Sequence, residues 1–218
     1  MRKRYGFYKV CRVLVFPLVK FLFRPKIINE HYIPKDGAAI IAGNHKHALD
    51  PVLVDLCTKR VVFTLAKKSL HEGKFGFLFR AIGSIPVDTK GGSNKNAVND
   101  ALEKLRDGKL INLSPEGTRN RTNEILLPFK YGAVSMARKT NCVIVPYSIT
   151  GDYKLFRGTL KIVFGKPFRV SNLDIEQANS KLFNSIKKLL IDNMDKEELK
   201  GKKISKYRGA SNEKRKND

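Results

Sequence analysis

His45 and Asp50 stand five residues apart in the stretch Asn44-His45-Lys46-His47-Ala48-Leu49-Asp50, and a histidine paired with a carboxylate is a base able to take a proton from an alcohol. The run before them, Ala38-Ala39-Ile40-Ile41-Ala42-Gly43, reads as a buried strand, and Asp50-Pro51 as the N-cap and first position of a helix. Residues five apart in a regular helix face different ways, so His45 must lie in the turn ahead of the helix for the Asp50 carboxylate to reach one imidazole nitrogen. The other nitrogen then faces a substrate. His45-Lys46-His47 with Asp50 also resembles part of a metallohydrolase ligand set. The remaining histidines, His31 and His71, stand in no second ligand cluster, so no metal is expected. His47 reads as a pocket-lining or solvent-facing residue, and Lys46 as a surface cation near the substrate entrance.

A second chemical segment, Ser114-Pro115-Glu116-Gly117-Thr118-Arg119-Asn120-Arg121, follows the apolar strand Ile111-Asn112-Leu113. Gly117 lets a backbone approach a ligand, Thr118 offers a hydroxyl, and Arg119 presents a planar fork suited to phosphate oxygens. Glu116 is suited to hold Arg119 or to bind a substrate hydroxyl. In a parallel sheet, loops at the carboxyl ends of strands gather on one rim, which would bring His45 beside Glu116 to Arg119.

The elements needed to build that rim are legible. Strand-like runs at Val61 to Leu65, Ile85 to Val87, Lys109 to Leu113, Val143 to Thr150 and Leu160 to Phe164 alternate with helix-like ones. Ala97, Val98, Ala101, Leu102 and Leu105 share a helical face behind Ser93 or Asn94 and ahead of Gly108; Gly132 to Lys139 and Ile175 to Asp192 are further helices. The fold class is α/β, a single domain with a central mostly parallel or mixed sheet flanked by helices and preceded by an N-terminal amphipathic helical segment. A length of 218 residues suits one well-buried domain, assigned to 31–195. Residues 196–218, polar and lysine-rich, read as a flexible basic tail. Cys11, Cys57 and Cys142 are widely spaced in apolar surroundings, which suggests neither a disulfide framework nor a zinc site, and a reducing compartment.

A net charge of +23 calls for a polyanionic partner. Residues 1–30 suggest which one. Arg2 to Lys26 carry eight Lys or Arg and no acid, interleaved with Phe7, Val10, Cys11, Leu14, Leu18, Phe21 and Leu22 on one helical face. Arg2, Lys3, Arg4, Lys9, Arg12, Lys20 and Arg24 with Leu14, Leu18 and Phe21 are the pattern of a helix lying in an anionic membrane interface, here expected as two segments kinked at Pro17. The alternative is a helix packed on the protein's own core. No run reaches the roughly 20 apolar residues that span a bilayer. A basic nucleic-acid-binding protein is the alternative of another class that the charge favours, but nucleic acid is not expected as partner, since no RNP-type strand, helix-turn-helix pattern or Cys/His finger accompanies the charge.

His45 and Asp50 fit an H-x4-D motif and Pro115-Glu116-Gly117-Thr118-Arg119 a P-E-G-T-R motif, about 65 residues apart. On these the chain resembles the glycerolipid acyltransferase family, which includes the 1-acylglycerol-3-phosphate acyltransferases. Gly83-Ser84-Ile85-Pro86-Val87-Asp88 resembles that family's second motif, Val145-Pro146 its fourth, and Phe129-Lys130-Tyr131-Gly132-Ala133 the segment that follows P-E-G-T-R. The second motif usually ends in a phosphate-binding arginine; here the position is Thr89, followed by Lys90.

The resemblance implies transfer of a fatty acyl group from a thioester on acyl carrier protein or coenzyme A to the free hydroxyl of lysophosphatidic acid. Another lysophospholipid or glycerol 3-phosphate is the alternative acceptor. His45 would act as general base and Asp50 as its orienter, with no covalent acyl-enzyme and no cofactor beyond the thioester co-substrate. Arg119 and Lys130 would bind the acceptor phosphate, with Gly83, Glu116, Gly117 and Thr118 shaping that site. Backbone N–H groups near the helix start after Asp50 are candidate oxyanion donors. The expected location is the cytoplasmic face of a membrane, peripheral or monotopic.

Overall fold

A computed structural model of the protein describes residues 6–74, 76–88 and 93–209, with every side chain among them except those of Phe7 and Cys11. Its centre is a seven-stranded mixed sheet formed by β1 (Lys26–Ile28), β2 (Ala39–Gly43), β3 (Val62–Lys67), β4 (Ile85–Val87), β5 (Leu110–Leu113), β6 (Val143–Thr150) and β7 (Lys161–Phe164). The spatial order is β1-β7-β6-β2-β5-β3-β4. From β6 to β4 all neighbours are parallel, so five carboxyl ends share one rim. β7 runs antiparallel to β6, and β1 pairs parallel with β7.

The apolar run of β2 is wholly buried because helices cover both faces of the sheet. Ile40 belongs to the core under α5 (Lys95–Arg106), α6 (Gly132–Thr140) and α7 (Ile175–Asn193), with Leu105, Met136 and Ile186. Its neighbour Ile41 points the other way, into a core with Leu53 and Val54 of α2 (Asp50–Leu56) and with Tyr147 and Phe164. This alternation fixes the register of the strand that delivers His45. The stripe foreseen on α5 is buried through Ala97, Ala101, Leu102 and Leu105. Asn94 occupies the N-cap position, but its amide binds the backbone of Asp88 on both sides, at 2.7 Å each, instead of capping the helix. The short elements α3 (Lys68–Glu72), α4 (Gly76–Ala81) and β1 have too few residues to display a period and were not foreseen.

At the N-terminus the expectation of two kinked segments gives way to one helix, α1 (Gly6–Phe23), continuous across Pro17. Phe16 and Val19, on either side of the proline, are both buried, and this packing offsets the backbone hydrogen bond that proline removes. Arg12, expected at the interface, turns inward. Its guanidinium donates to the carbonyls of Lys59 (2.8 Å) and Thr58, just past the C-terminus of α2, where the helix dipole favours a cation. Buried Tyr8 donates to the Arg60 carbonyl at 3.3 Å and faces Asp55 at 3.4 Å. Burial pushes the Asp55 carboxyl up to about 8, against the opposing effects of the Tyr8 hydroxyl and Arg12. Arg2, Lys3 and Arg4, also expected at the interface, lie outside the described residues.

The tail expected to be free from residue 196 is docked as far as Tyr207. It begins as α8 (Lys196–Lys200) and then runs beside residues 123–126, with Lys203 N–H donating to Asn123 O at 2.7 Å and Ile125 N–H to Lys203 O at 2.9 Å. Ser205 donates to Leu126 O at 2.9 Å, and Tyr207 to Glu176 at 2.6 Å. Residues 123–126 extend the loop after β5 and have backbone groups to satisfy, and the chain end supplies them. Residues 210–218 lie outside the described residues.

Candidate active site

Asn44, the first residue after β2, lets the chain leave the sheet. Its side-chain amide donates to Ile149 O (2.9 Å) and accepts from Ile149 N–H (2.7 Å), standing in for a strand neighbour of β6. Just before it, Gly43 is required by a close approach, because a Cβ there would stand 2.3 Å from the Tyr147 ring. The backbone is then free to curl, and His45 Nδ1 meets Asp50 Oδ2 at 2.8 Å. The same oxygen accepts the N–H groups of Lys46 and His47, each at 2.8 Å. Asp50 is therefore not the N-cap expected from sequence. α2 begins at Asp50 itself, with Leu49 in the cap position, and the carboxylate closes the loop backward onto residues 45–47.

Asp50 is 2% exposed, and its Oδ1 accepts the Tyr153 hydroxyl at 2.6 Å. The carboxylate thus receives charge-assisted hydrogen bonds on both oxygens. The His45 side chain keeps 27% of its surface open, and among the described residues nothing hydrogen-bonds its Nε2. A base with one nitrogen anchored and one free is the arrangement needed for proton abstraction.

Glu116 lies on the same rim as His45 and joins the two motifs. Its Oε1 accepts the His45 N–H at 3.0 Å, and its Oε2 the Leu127 N–H at 2.9 Å. His45 O in turn accepts the Asn120 N–H at 2.8 Å. Burial pushes the Glu116 carboxyl up to about 7, against the lowering effect of the two backbone donors. Among the described residues no ion pair joins Glu116 to Arg119; Thr118 and Arg119 are exposed. Gly117 has φ +69°, and a Cβ there would stand 2.9 Å from Lys130 Cε, so the Lys130 side chain crosses the turn directly beneath it. Lys130 N–H donates to Pro115 O at 2.8 Å, which fixes that crossing. Arg119, two residues past Gly117, and Lys130 are thus two exposed cations on the loop between β5 and α6.

Gly83 is not brought to this rim. It precedes β4, at the opposite end of the strand from the shared carboxyl edge, and packs under the Phe63 ring. Thr89 and Lys90, just beyond the carboxyl end of β4, lie outside the described residues. Near the helix start, where candidate oxyanion donors were expected, Pro51 has no N–H, and the N–H groups of Lys46, His47, Leu49, Asp50 and Leu53 bond groups of the same segment, which narrows the candidates. Lys46, read as a surface cation, is instead tied down: its ammonium binds Gly151 O and, at 3.1 Å, Glu198 of α8, whose other oxygen accepts Gly151 N–H at 3.0 Å. His47 stacks on Tyr153 with centroids 4.3 Å apart. Among the described residues no group of three or more His, Cys, Asp or Glu could hold a metal ion.

Tyr153 and Glu198 were not foreseen. Each reaches the rim from more than 100 residues away, so no local spacing reveals it.

The family model described as Acyltransferase matches residues 24–150, which include every part of this rim up to the end of β6. The chain belongs to the acyltransferase family. Within it, the chain is 33% identical over 132 residues to a 1-acyl-sn-glycerol-3-phosphate acyltransferase of Borreliella burgdorferi, covering 60% of this chain and 52% of that one. It is 30% identical over 160 residues to the enzyme of the same name from Saccharomyces cerevisiae, covering 68% and 52%. The chain thus spans about half the length of these acyltransferases. The crystal structure of the 1-acyl-sn-glycerophosphate acyltransferase of Thermotoga maritima shares the fold, with a TM-score of 0.66 at 21% identity over 88% of this chain and 83% of that one.

Proposed function

We propose that this acyltransferase moves a fatty acyl group from a thioester, on acyl carrier protein or coenzyme A, to the free hydroxyl of 1-acyl-sn-glycerol 3-phosphate, giving phosphatidic acid. The observation that carries the reading is the His45–Asp50 pair at 2.8 Å beside the Arg119 and Lys130 loop. His45 Nε2 takes the acceptor hydroxyl proton as that oxygen attacks the thioester carbonyl. The tetrahedral intermediate collapses with cleavage of the C–S bond, and the imidazolium returns the proton to the thiolate. Asp50 holds the tautomer and offsets the charge on the ring, as in a serine protease with the substrate alcohol replacing serine. Arg119 and Lys130 bind the acceptor phosphate. Glu116, with both oxygens engaged by backbone amides, braces the two loops against each other.

The lipid substrates are met at an anionic membrane surface, on the cytoplasmic face, by a peripherally or monotopically bound protein. Val13, Leu14, Leu18 and Phe21 of α1 are 55–69% exposed, on the side away from Tyr8, Phe16 and Val19. Exposed Lys9, Lys20 and Arg24 accompany them. Leu155 and Phe156, at the tip of the β6–β7 loop, extend this apolar surface, with Phe156 edge-on to Phe21 at 5.7 Å. No helix among the described residues is long and apolar enough to cross a membrane, whereas an exposed apolar stripe with flanking cations suits an interface. Purified protein offered both thioester donors and a panel of lysophospholipids and glycerol 3-phosphate, with products scored by lipid mass, tests the reading. Phosphatidic acid as the dominant product supports it, and acylation of a different acceptor alone removes the assigned substrate.

A further inference from the structure

The β6–β7 loop, residues 151–160, joins two features that lie far apart in sequence: the aspartate of the catalytic pair and the C-terminal end of α1. Tyr153 makes the junction. Its hydroxyl donates to Asp50 Oδ1 at 2.6 Å, across 103 positions of chain. The other carboxylate oxygen carries three partners, the His45 ring and the N–H groups of Lys46 and His47. On Oδ1, Tyr153 is the only donor among the described residues. A buried carboxylate oxygen that loses its donor is costly, and the group is then free to turn about its Cβ–Cγ bond toward another.

The tyrosine is itself held in place. One face of its ring lies on His47, and its edge meets Phe23 of α1 with centroids 5.6 Å apart at 76°. Three residues further on, Phe156 N–H donates to Leu22 O at 2.6 Å, and Arg24 stands over the Phe156 ring at 5.7 Å. The loop is therefore stitched to the end of α1 by backbone, aromatic and cation contacts. Burial, and next the nearby Asp50 charge, push the Tyr153 phenol well above its ordinary range, so it remains a donor wherever Asp50 is ionised.

We propose that Tyr153 is a positioning residue for the acyl transfer, fixing the plane of the Asp50 carboxylate and through it the imidazole of His45, with the end of α1 holding Tyr153 from behind. This rests on the reading of His45 and Asp50 as base and orienter. It assigns the helix that carries the exposed apolar stripe a second task, because the ring it presses against is bonded to the pair that does the chemistry. Tyr153 reaches neither Arg119 nor Lys130 in any hydrogen bond among the described residues, so its effect belongs to the chemical step and not to acceptor binding.

The test is Tyr153→Phe, which keeps the ring and its contacts with His47 and Phe23 and removes only the hydroxyl. It is measured in the wild-type and Asp50→Asn backgrounds, below the melting transition of each variant, with a single cooperative thermal transition confirming the fold. In the wild-type background kcat is expected to fall about tenfold while the KM of donor and acceptor stays within about twofold. In the Asp50→Asn background the same change is expected to alter the rate less than about twofold, since the effect travels through the carboxylate. Wild-type kcat in Tyr153→Phe, beside a crippled Asp50→Asn, overturns the positioning role and leaves the catalytic pair standing. A tenfold loss that persists in the Asp50→Asn background also overturns it, as an effect independent of Asp50. Full activity in Asp50→Asn alone removes the underlying reading as well.

Discussion

Glu116 accepts the backbone N–H of His45 at 3.0 Å, although the two residues are 71 positions apart. Through this bond the loop after β5 and the loop after β2 become one rigid rim. The His45 ring is set from in front by Asp50, and its backbone is set from behind by Glu116. Removing the Glu116 carboxylate would leave two backbone donors, those of His45 and Leu127, without acceptors in a buried place. Glu116→Ala is expected to lower unfolding stability by about 2 kcal/mol or more, from two unsatisfied groups at about 1–3 kcal/mol each. Activity should fall with it. Denaturant midpoints check the first part, and a variant as stable as wild type would show that the bonds are dispensable.

Stability should also respond to pH in a defined direction. Burial raises the folded-state carboxyl of Asp55 to about 8 and that of Glu116 to about 7, both above their ordinary values. A carboxyl raised in the folded state binds its proton more tightly there than in the unfolded chain. Its contribution is full below the unfolded value and is lost as pH rises through the folded one. Stability is therefore expected to decline from about pH 5 toward pH 8, and Asp55→Asn, which cannot ionise, is expected to flatten that decline. Chemical denaturation at several pH values measures it. An equally steep decline in Asp55→Asn would remove Asp55 as a source.

Arg119 and Lys130 make a separable prediction. Both are exposed on the loop that follows β5, which suits them to phosphate oxygens in a ligand that arrives from solvent or a lipid surface. Arg119→Ala and Lys130→Ala are each expected to raise the acceptor KM about tenfold or more with a smaller change in kcat. The donor KM serves as the control. An unchanged acceptor KM in both variants would take the phosphate site elsewhere on the rim.

Much of this arrangement is legible in the sequence because it is local. Six of the seven strands form long or sharply bounded apolar runs, and α5, α6 and α7 repeat their buried positions often enough to show a helical period. His45 and Asp50 are close enough along the chain for their pairing to follow from a turn ahead of a helix. What escapes the sequence is what depends on distant contacts. Arg12 looks like one more interfacial cation until the end of α2 is placed beside it. Lys196 to Tyr207 look unstructured because their partners are the backbone groups of 123–126 and the Glu176 carboxylate, not an apolar stripe of their own. Pro17 suggests a break that the buried Phe16 and Val19 override. Tyr153 carries no local signal at all.

The central claim is that His45 is the base, and the most direct measurement is acyl transfer by purified His45→Ala beside wild type, scored by the mass of the acylated lipid with folding checked by thermal melting. The account predicts a folded variant whose turnover is lower by about three orders of magnitude or more. A folded His45→Ala protein that transfers the acyl group at a rate near that of wild type would contradict it.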